Sequence, residues 1–147
     1  MIYLGADHGG FELKEAIKQH LLEQGYEVED CGTHSAESVD YAPIALATCE
    51  KLLADKGSLG ILCCGTGIGI SMAANKVHGI RAACCSDYFS AKYTRLHNDA
   101  NVLCVGGRVV GAGLACELVD VFLSTEFEGG RHQRRVDQIT AIEQSQG

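Results

Sequence analysis

Leu62-Cys63-Cys64-Gly65-Thr66-Gly67-Ile68-Gly69-Ile70-Ser71 is the stretch around which the chain is organised. It follows the apolar run Leu59-Gly60-Ile61-Leu62-Cys63, which reads as a buried strand. It precedes Ser71-Met72-Ala73-Ala74-Asn75-Lys76, which reads as the start of a helix. Gly65, Gly67 and Gly69 let the backbone turn sharply and leave several N–H groups without side-chain cover. Such groups at a helix N-terminus, where a partial charge of about +0.5 gathers, favour an anion. Cys64 stands at the lip of that cradle, so a base or nucleophile lies beside a nest for negative charge. The bland alternative is a tight turn with no ligand.

Three familiar loops are excluded. The dinucleotide fingerprint needs a third glycine where Ile70 stands, and a P-loop needs a Lys that is missing. A cysteine phosphatase loop needs Arg six residues after Cys64, which is again Ile70.

Composition narrows the classes. The 147 residues suffice for one domain, 1–147, with a good core. With 46% hydrophobic and 21% charged residues, a globular fold is expected rather than disorder. A net charge of −7 argues against a nucleic-acid partner. The chain has no apolar run long enough for a membrane span. Met1-Ile2-Tyr3-Leu4-Gly5-Ala6-Asp7 has no basic n-region, so no signal peptide is expected and the protein reads as cytoplasmic. Of eight cysteines, two pairs are vicinal (Cys63-Cys64 and Cys84-Cys85) and none forms C-x-x-C. They read as reduced small hydrophobes, with no zinc site.

Strands and helices alternate. Strands are expected at 1–6, 26–31, 59–63, 80–85 and 101–105. Helices are expected at 11–24, 41–56, 71–76, 88–96, 113–123 and 133–144, and 32–40 is a polar loop. Leu13, Ile17 and Leu21 mark the first helix, and Leu114, Leu118 and Phe122 the fifth. Pro43 is tolerated in the first turn of its helix. This alternation implies right-handed crossovers and a doubly wound, Rossmann-like α/β sandwich with a five-stranded parallel sheet. Ligands in such sheets bind at the carboxyl ends of strands where the order reverses. Placing the polar ends of strands one and three together gives the expected order 2-1-3-4-5.

Four polar clusters offer chemistry. Asp7-His8-Gly9-Gly10 reads either as a His aimed at an anion beside an Asp for hydroxyls, or as an N-cap with a solvent-facing His. Beside Cys64 the first reading is preferred. The positive end of a helix favours a thiolate over a thiol, and a thiolate there can remove a carbon-bound proton. Cys63 must face the other side of the strand and reads as packing, as do Cys49, Cys104 and Cys116. His97-Asn98-Asp99 is a turn or a site for an acid/base near neutrality. Gly107-Arg108 and the run Gly129 to Arg135 concentrate arginines in an acidic chain. Arg131 and Arg135, four apart, share a helix face and suit one phosphate. Their positive charge opposes the helix dipole, which makes an anionic ligand more attractive. His20, His34 and His78 read as surface residues, and His132 is left without a role.

Gly5-Ala6-Asp7-His8-Gly9-Gly10, Cys64 to Gly69, Ala73-Ala74-Asn75-Lys76, His97-Asn98-Asp99 and Gly129-Gly130-Arg131-His132-Gln133 together resemble the family of ribose-5-phosphate and galactose-6-phosphate isomerases, over nearly the whole chain. The resemblance implies an aldose–ketose isomerisation through a cis-enediolate, without metal or other cofactor. It implies Cys64 as the base, in place of the Glu that some members carry elsewhere. Thr66 would exchange protons between O1 and O2, and His97 would open the furanose ring. Backbone amides from Gly65 through Gly67 and Gly69 to Ser71 would stabilise the enediolate. Asp7 and Asn98 would hold sugar oxygens; His8, Arg108, Arg131 and Arg135 would bind phosphate; Tyr41 would line the site. It further implies a homodimer or dimer of dimers, with the site between subunits and the C-terminal helix reaching a partner. The sugar phosphate is a pentose 5-phosphate on the first reading and a hexose 6-phosphate (allose or galactose) on the second. A non-catalytic sugar-phosphate-binding module is the third.

Overall fold

A computed structural model describes all residues 1–147. The elements run β1 (Ile2–Ala6), α1 (Phe11–Glu23), β2 (Val28–Asp30), α2 (Tyr41–Ala54), β3 (Leu59–Cys64), α3 (Ile68–Ala74), β4 (Ala82–Cys84), α4 (Tyr88–Asn98), β5 (Val102–Gly106), α5 (Ala112–Ser124) and α6 (Arg131–Ser145). All strand pairs are parallel. The fold is the expected α/β sandwich, and no helix is long and apolar enough to cross a membrane.

The strand order is 2-1-3-5-4, not 2-1-3-4-5. Burial gives the reason. All five residues of β5 are buried, so it needs neighbours on both sides. β4 has three residues, two half-buried and one exposed, and suits an edge. Right-handed crossovers then fix the helices. Moving from β1 out to β2, or from β4 back to β5, places the helix on one face; moving from β2 to β3, or from β3 to β4, places it on the other. Accordingly α1, α4 and α5 pack over one face, in a core containing Ile17, Ile61, Cys63, Ala91, Leu103 and Phe122. Helices α2 and α3 cover the other, around Cys49, Leu62, Cys64, Ile70 and Cys104.

Other boundaries shift for local reasons. α3 begins three residues earlier than expected, because Gly67 adopts a left-handed conformation (φ 81°) and starts the helix there. It ends at Ala74, and the Asn75 side chain clamps both the N–H and the carbonyl of Ala82 on β4. β2 and β4 shrink to three residues each. α6 starts at Arg131, two residues before the expected Gln133.

Lys14, only 1% exposed, anchors the β2 end of the sheet. Its Nζ donates to both oxygens of Asp30 at 2.7 and 2.6 Å and to the Thr33 carbonyl at 2.7 Å. Burial pushes the Asp30 carboxyl up. Hydrogen bonds from Lys14, the Gly32 N–H and Lys18 outweigh it and hold the group below the usual carboxylate range. Lys14→Ala leaves a buried carboxylate served by Lys18 alone among the lysines, and a loss of about 3 kcal/mol in urea unfolding at pH 7 is expected. Because the folded-state value is depressed, the stability from Asp30 is present above the ordinary aspartate value of 3.8 and is lost as pH falls through the lowered one. Asp30→Asn therefore flattens the stability curve in that acid window.

Candidate active site

Three strand ends converge beside Cys64. β3 lies between β1 and β5, with Cys63 opposite Ala6 and Cys64 opposite Gly106. The segment after β5 folds back onto the loop after β3: the Gly107 N–H donates to the Cys64 carbonyl (2.8 Å) and the Arg108 N–H to the Gly65 carbonyl (2.9 Å). The Arg108 guanidinium consequently lies over Gly65; a Cβ there would meet its Nη1 at 3.6 Å. The corrected strand order is what puts Arg108 there, since β4 would otherwise stand between.

Cys64 is 5% exposed, and its Sγ accepts the Gly67 N–H at 3.1 Å. The Thr66 hydroxyl accepts the Ile68 N–H at 3.1 Å. The Ser71 hydroxyl donates to the Ile68 carbonyl (2.6 Å), and the Ser71 N–H to the Gly67 carbonyl, so both groups of Ser71 are engaged inside the turn. The N–H groups of Gly65, Thr66, Gly69 and Ile70 make no hydrogen bond within the chain. The turn that carries the thiol and the hydroxyl thus has four unengaged backbone donors. The ring of Tyr41, at the start of α2, covers Gly69, where a Cβ would come within 2.8 Å of it.

The β1 end completes this group. Asp7 is buried, and its Oδ1 accepts the N–H groups of Gly9 and Gly10 at 2.9 and 3.2 Å. His8 Nδ1 accepts the Val39 N–H at 3.1 Å. The same nitrogen lies 3.2 Å from the Val39 carbonyl, so Val39 offers Nδ1 a partner in either tautomer.

The other thiols are of a different kind. Cys63 faces the opposite core, where complete burial pushes its thiol up. Burial likewise raises Cys49 to about 12 and Cys85 to about 11. Cys116 is only partly buried. His20 is not a free surface group: its Nε2 lies 2.8 Å from Asp120.

His97, Asn98, Arg131 and Arg135 do not join Cys64. Arg81, just before β4, donates from Nε to the carbonyls of Asn98 and Asp99 at 3.2 and 3.0 Å. The end of α4 therefore sits at the amino edge of the sheet. β5 has five residues, Val102 to Gly106, and their spacing puts roughly 13 Å of strand between this edge and the level of Cys64. Asn98 borders two cavities, of about 580 and 350 Å³, and neither is lined by Cys64. Arg131 and Arg135 are exposed on the outer stripe of α6, while His132 and Val136 face inward. The residues expected at the site thus form two groups at opposite ends of the sheet.

The second group includes His132, to which the sequence assigned nothing. Its ring stacks on that of His97 with centroids 3.9 Å apart and planes 12° apart. Glu128 approaches both, 4.0 Å from His97 Nε2 and 3.9 Å from His132 Nε2. Two histidines and a carboxylate within 4.8 Å suggest a metal centre. The stacking opposes it. A divalent ion at ~2.0–2.1 Å should lie in the plane of each imidazole, and two parallel planes this far apart share no such point.

A sequence profile of the ribose/galactose isomerase family matches residues 2–139. The chain is 53% identical to ribose-5-phosphate isomerase B of Escherichia coli over 97% of its own length and 96% of that protein's. It superposes on the Clostridium thermocellum ribose-5-phosphate isomerase B structure with a TM-score of 0.97, at 51% identity and 99% coverage of both chains. A Mycoplasma genitalium ribose-5-phosphate isomerase B with bound ribulose-5-phosphate gives 0.93 at 41% identity, covering 97% of this chain and 95% of that one.

The turn itself is testable. Gly67→Ala puts a Cβ 2.9 Å from the Val105 carbonyl carbon at a φ of 81°. A loss of about 2 kcal/mol or more in thermal unfolding is expected. Gly65→Ala meets only the flexible Arg108 side chain, at 3.6 Å or beyond, and should leave stability nearly unchanged.

Proposed function

The chain belongs to the ribose/galactose isomerase family, and we propose that it interconverts ribose 5-phosphate and ribulose 5-phosphate. The observation that carries this reading is the thiol of Cys64 beside Thr66 and the unengaged N–H groups of Gly65, Thr66, Gly69 and Ile70. Enolisation needs a base at carbon and donors where negative charge gathers. Cys64 as thiolate removes the C2 proton of the open-chain aldose and returns it to C1. Thr66 passes a proton between O1 and O2. The backbone donors stabilise the enediolate; losing one such donor typically costs ~10²–10³ in rate. Asp7 holds a hydroxyl, Tyr41 closes one wall, and His8 with Arg108 takes part of the phosphate. We place the enzyme in the cytoplasm, a compartment that keeps thiols reduced, as a thiol base requires.

His97, Asn98, Arg131 and Arg135 enter this site from a second copy of the chain, in a homodimer or dimer of dimers. His97 then opens the furanose ring, Asn98 holds a sugar oxygen, and the two arginines grip phosphate. Support comes from the separation of the half-sites and from the surface beside them. Ile68 and Met72 on α3 and Phe89 on α4 are exposed apolar side chains that a partner would cover. A 6-phosphate hexose remains the second reading, because the family description includes galactose isomerases. Relative kcat/KM on the two sugars decides between them.

Cys64→Ala should lower kcat on ribose 5-phosphate by about 10²–10⁴-fold, the usual contribution of a general base. Full turnover would remove Cys64 from the chemistry. Mixing Cys64→Ala with His97→Ala subunits tests the shared site. Half of the random dimers are mixed, each with one unmutated site, so recovery of about a quarter of wild-type activity is expected. If the mixture stays inactive although mixed dimers form, both residues act within one chain. Arg131→Ala and Arg135→Ala should raise KM far more than they lower kcat.

A further inference from the structure

α4 presents Phe89, Tyr93 and His97 four residues apart on one stripe. The Phe89 and Tyr93 rings stack at 4.1 Å, Tyr93 meets His97 edge-on at 5.1 Å, and His132 closes the row by stacking on His97. His97 is therefore held between two rings, although its side chain is 37% exposed.

The loop between α5 and α6 delivers His132. Arg95 Nε donates to the Thr125 carbonyl at 3.1 Å, and the Glu128 N–H donates to the Leu96 carbonyl at 3.1 Å. Both bonds fasten this loop to the last turns of α4. His132 itself is 5% exposed, and no hydrogen bond of 3.5 Å or less engages its ring. Burial pushes its pKa down, His97 and Arg131 add to the effect, Glu128 opposes it, and Arg135 lowers it further. A mostly buried ring that no group of the chain hydrogen-bonds offers its neighbour a flat face.

Resting on the assignment of His97 as the ring-opening acid/base, we propose that His132 is a positioning residue. Its imidazole fixes the plane of the His97 ring by stacking. Without that face, the His97 ring can turn toward the Glu128 carboxylate, already 4.0 Å from its Nε2. Acid/base catalysis tolerates little misplacement; about 1 Å can cost 10²-fold.

The test compares His132→Phe, which keeps a planar ring, with His132→Leu, which fills the space without one. Neither loses a hydrogen bond within the chain. With ribose 5-phosphate, His132→Leu should lower kcat roughly ten- to a hundred-fold with KM within about two-fold. His132→Phe should retain kcat within about three-fold. In proton NMR, the His97 ring resonances, identified by their loss in His97→Gln, should move downfield in His132→Leu and stay upfield in His132→Phe. His132→Leu with wild-type kcat, or His132→Phe as impaired as His132→Leu, overturns the proposal. So does an unmoved His97 resonance in His132→Leu. A wild type without isomerase activity, or a fully active His97→Gln, overturns the underlying functional reading and this inference with it.

Discussion

The handedness of the crossovers governs this molecule. Each β-α-β unit must be right-handed, so the direction of each step along the sheet decides which face receives the helix. β3 is the strand whose helix leaves to one face while the helices after both its neighbours, β1 and β5, leave to the other. A crevice therefore opens on each side of the carboxyl end of β3. Cys64 ends that strand. Asp7 and His8 approach from one side and Arg108 from the other, and each is placed by topology before any side chain is chosen.

The glycines follow from that crowding. Three strand-to-helix turns meet within a few ångströms, and the backbones touch. A Cβ on Gly10 would come within 2.4 Å of the Cys63 carbonyl carbon. At Gly67 the chain needs a left-handed residue to start α3 and has Val105 immediately behind it. The same close packing exposes the N–H groups of the loop, because glycine leaves nothing to cover them. The close packing and the uncovered backbone donors are thus one arrangement.

Most of the β3 side of the site was legible in the sequence because its signals are local. A strand, alternate glycines and a helix start occupy consecutive residues, and side-chain alternation separates Cys64 from Cys63. The strand order was not legible from the polar strand ends alone, yet a signal existed: Val102 to Val105 is more apolar than Arg81 to Cys84, as an interior strand requires. Missing it left Arg108 two strands away from Cys64. His132 was hidden for another reason. Its partner is 35 residues earlier on a different helix, and nothing in the neighbouring sequence marks a stacked ring.

The division of the polar groups also bears on why such a chain would assemble. The Cys64 thiol and the His97 imidazole, at opposite edges of one sheet, cannot meet the same small molecule within one chain. The topology cannot bring them together, since α4 must return to the amino edge before β5 can begin. Only a second sheet, turned to present its amino edge to the first sheet's carboxyl edge, can join them. On the proposed reading, two-fold symmetry would do this twice at once and would bury exposed apolar side chains such as Ile68 and Met72. On the proposed reading, water exclusion and the assembly of the acid–base pair are then one event. The enediolate would form where its donors no longer compete with solvent.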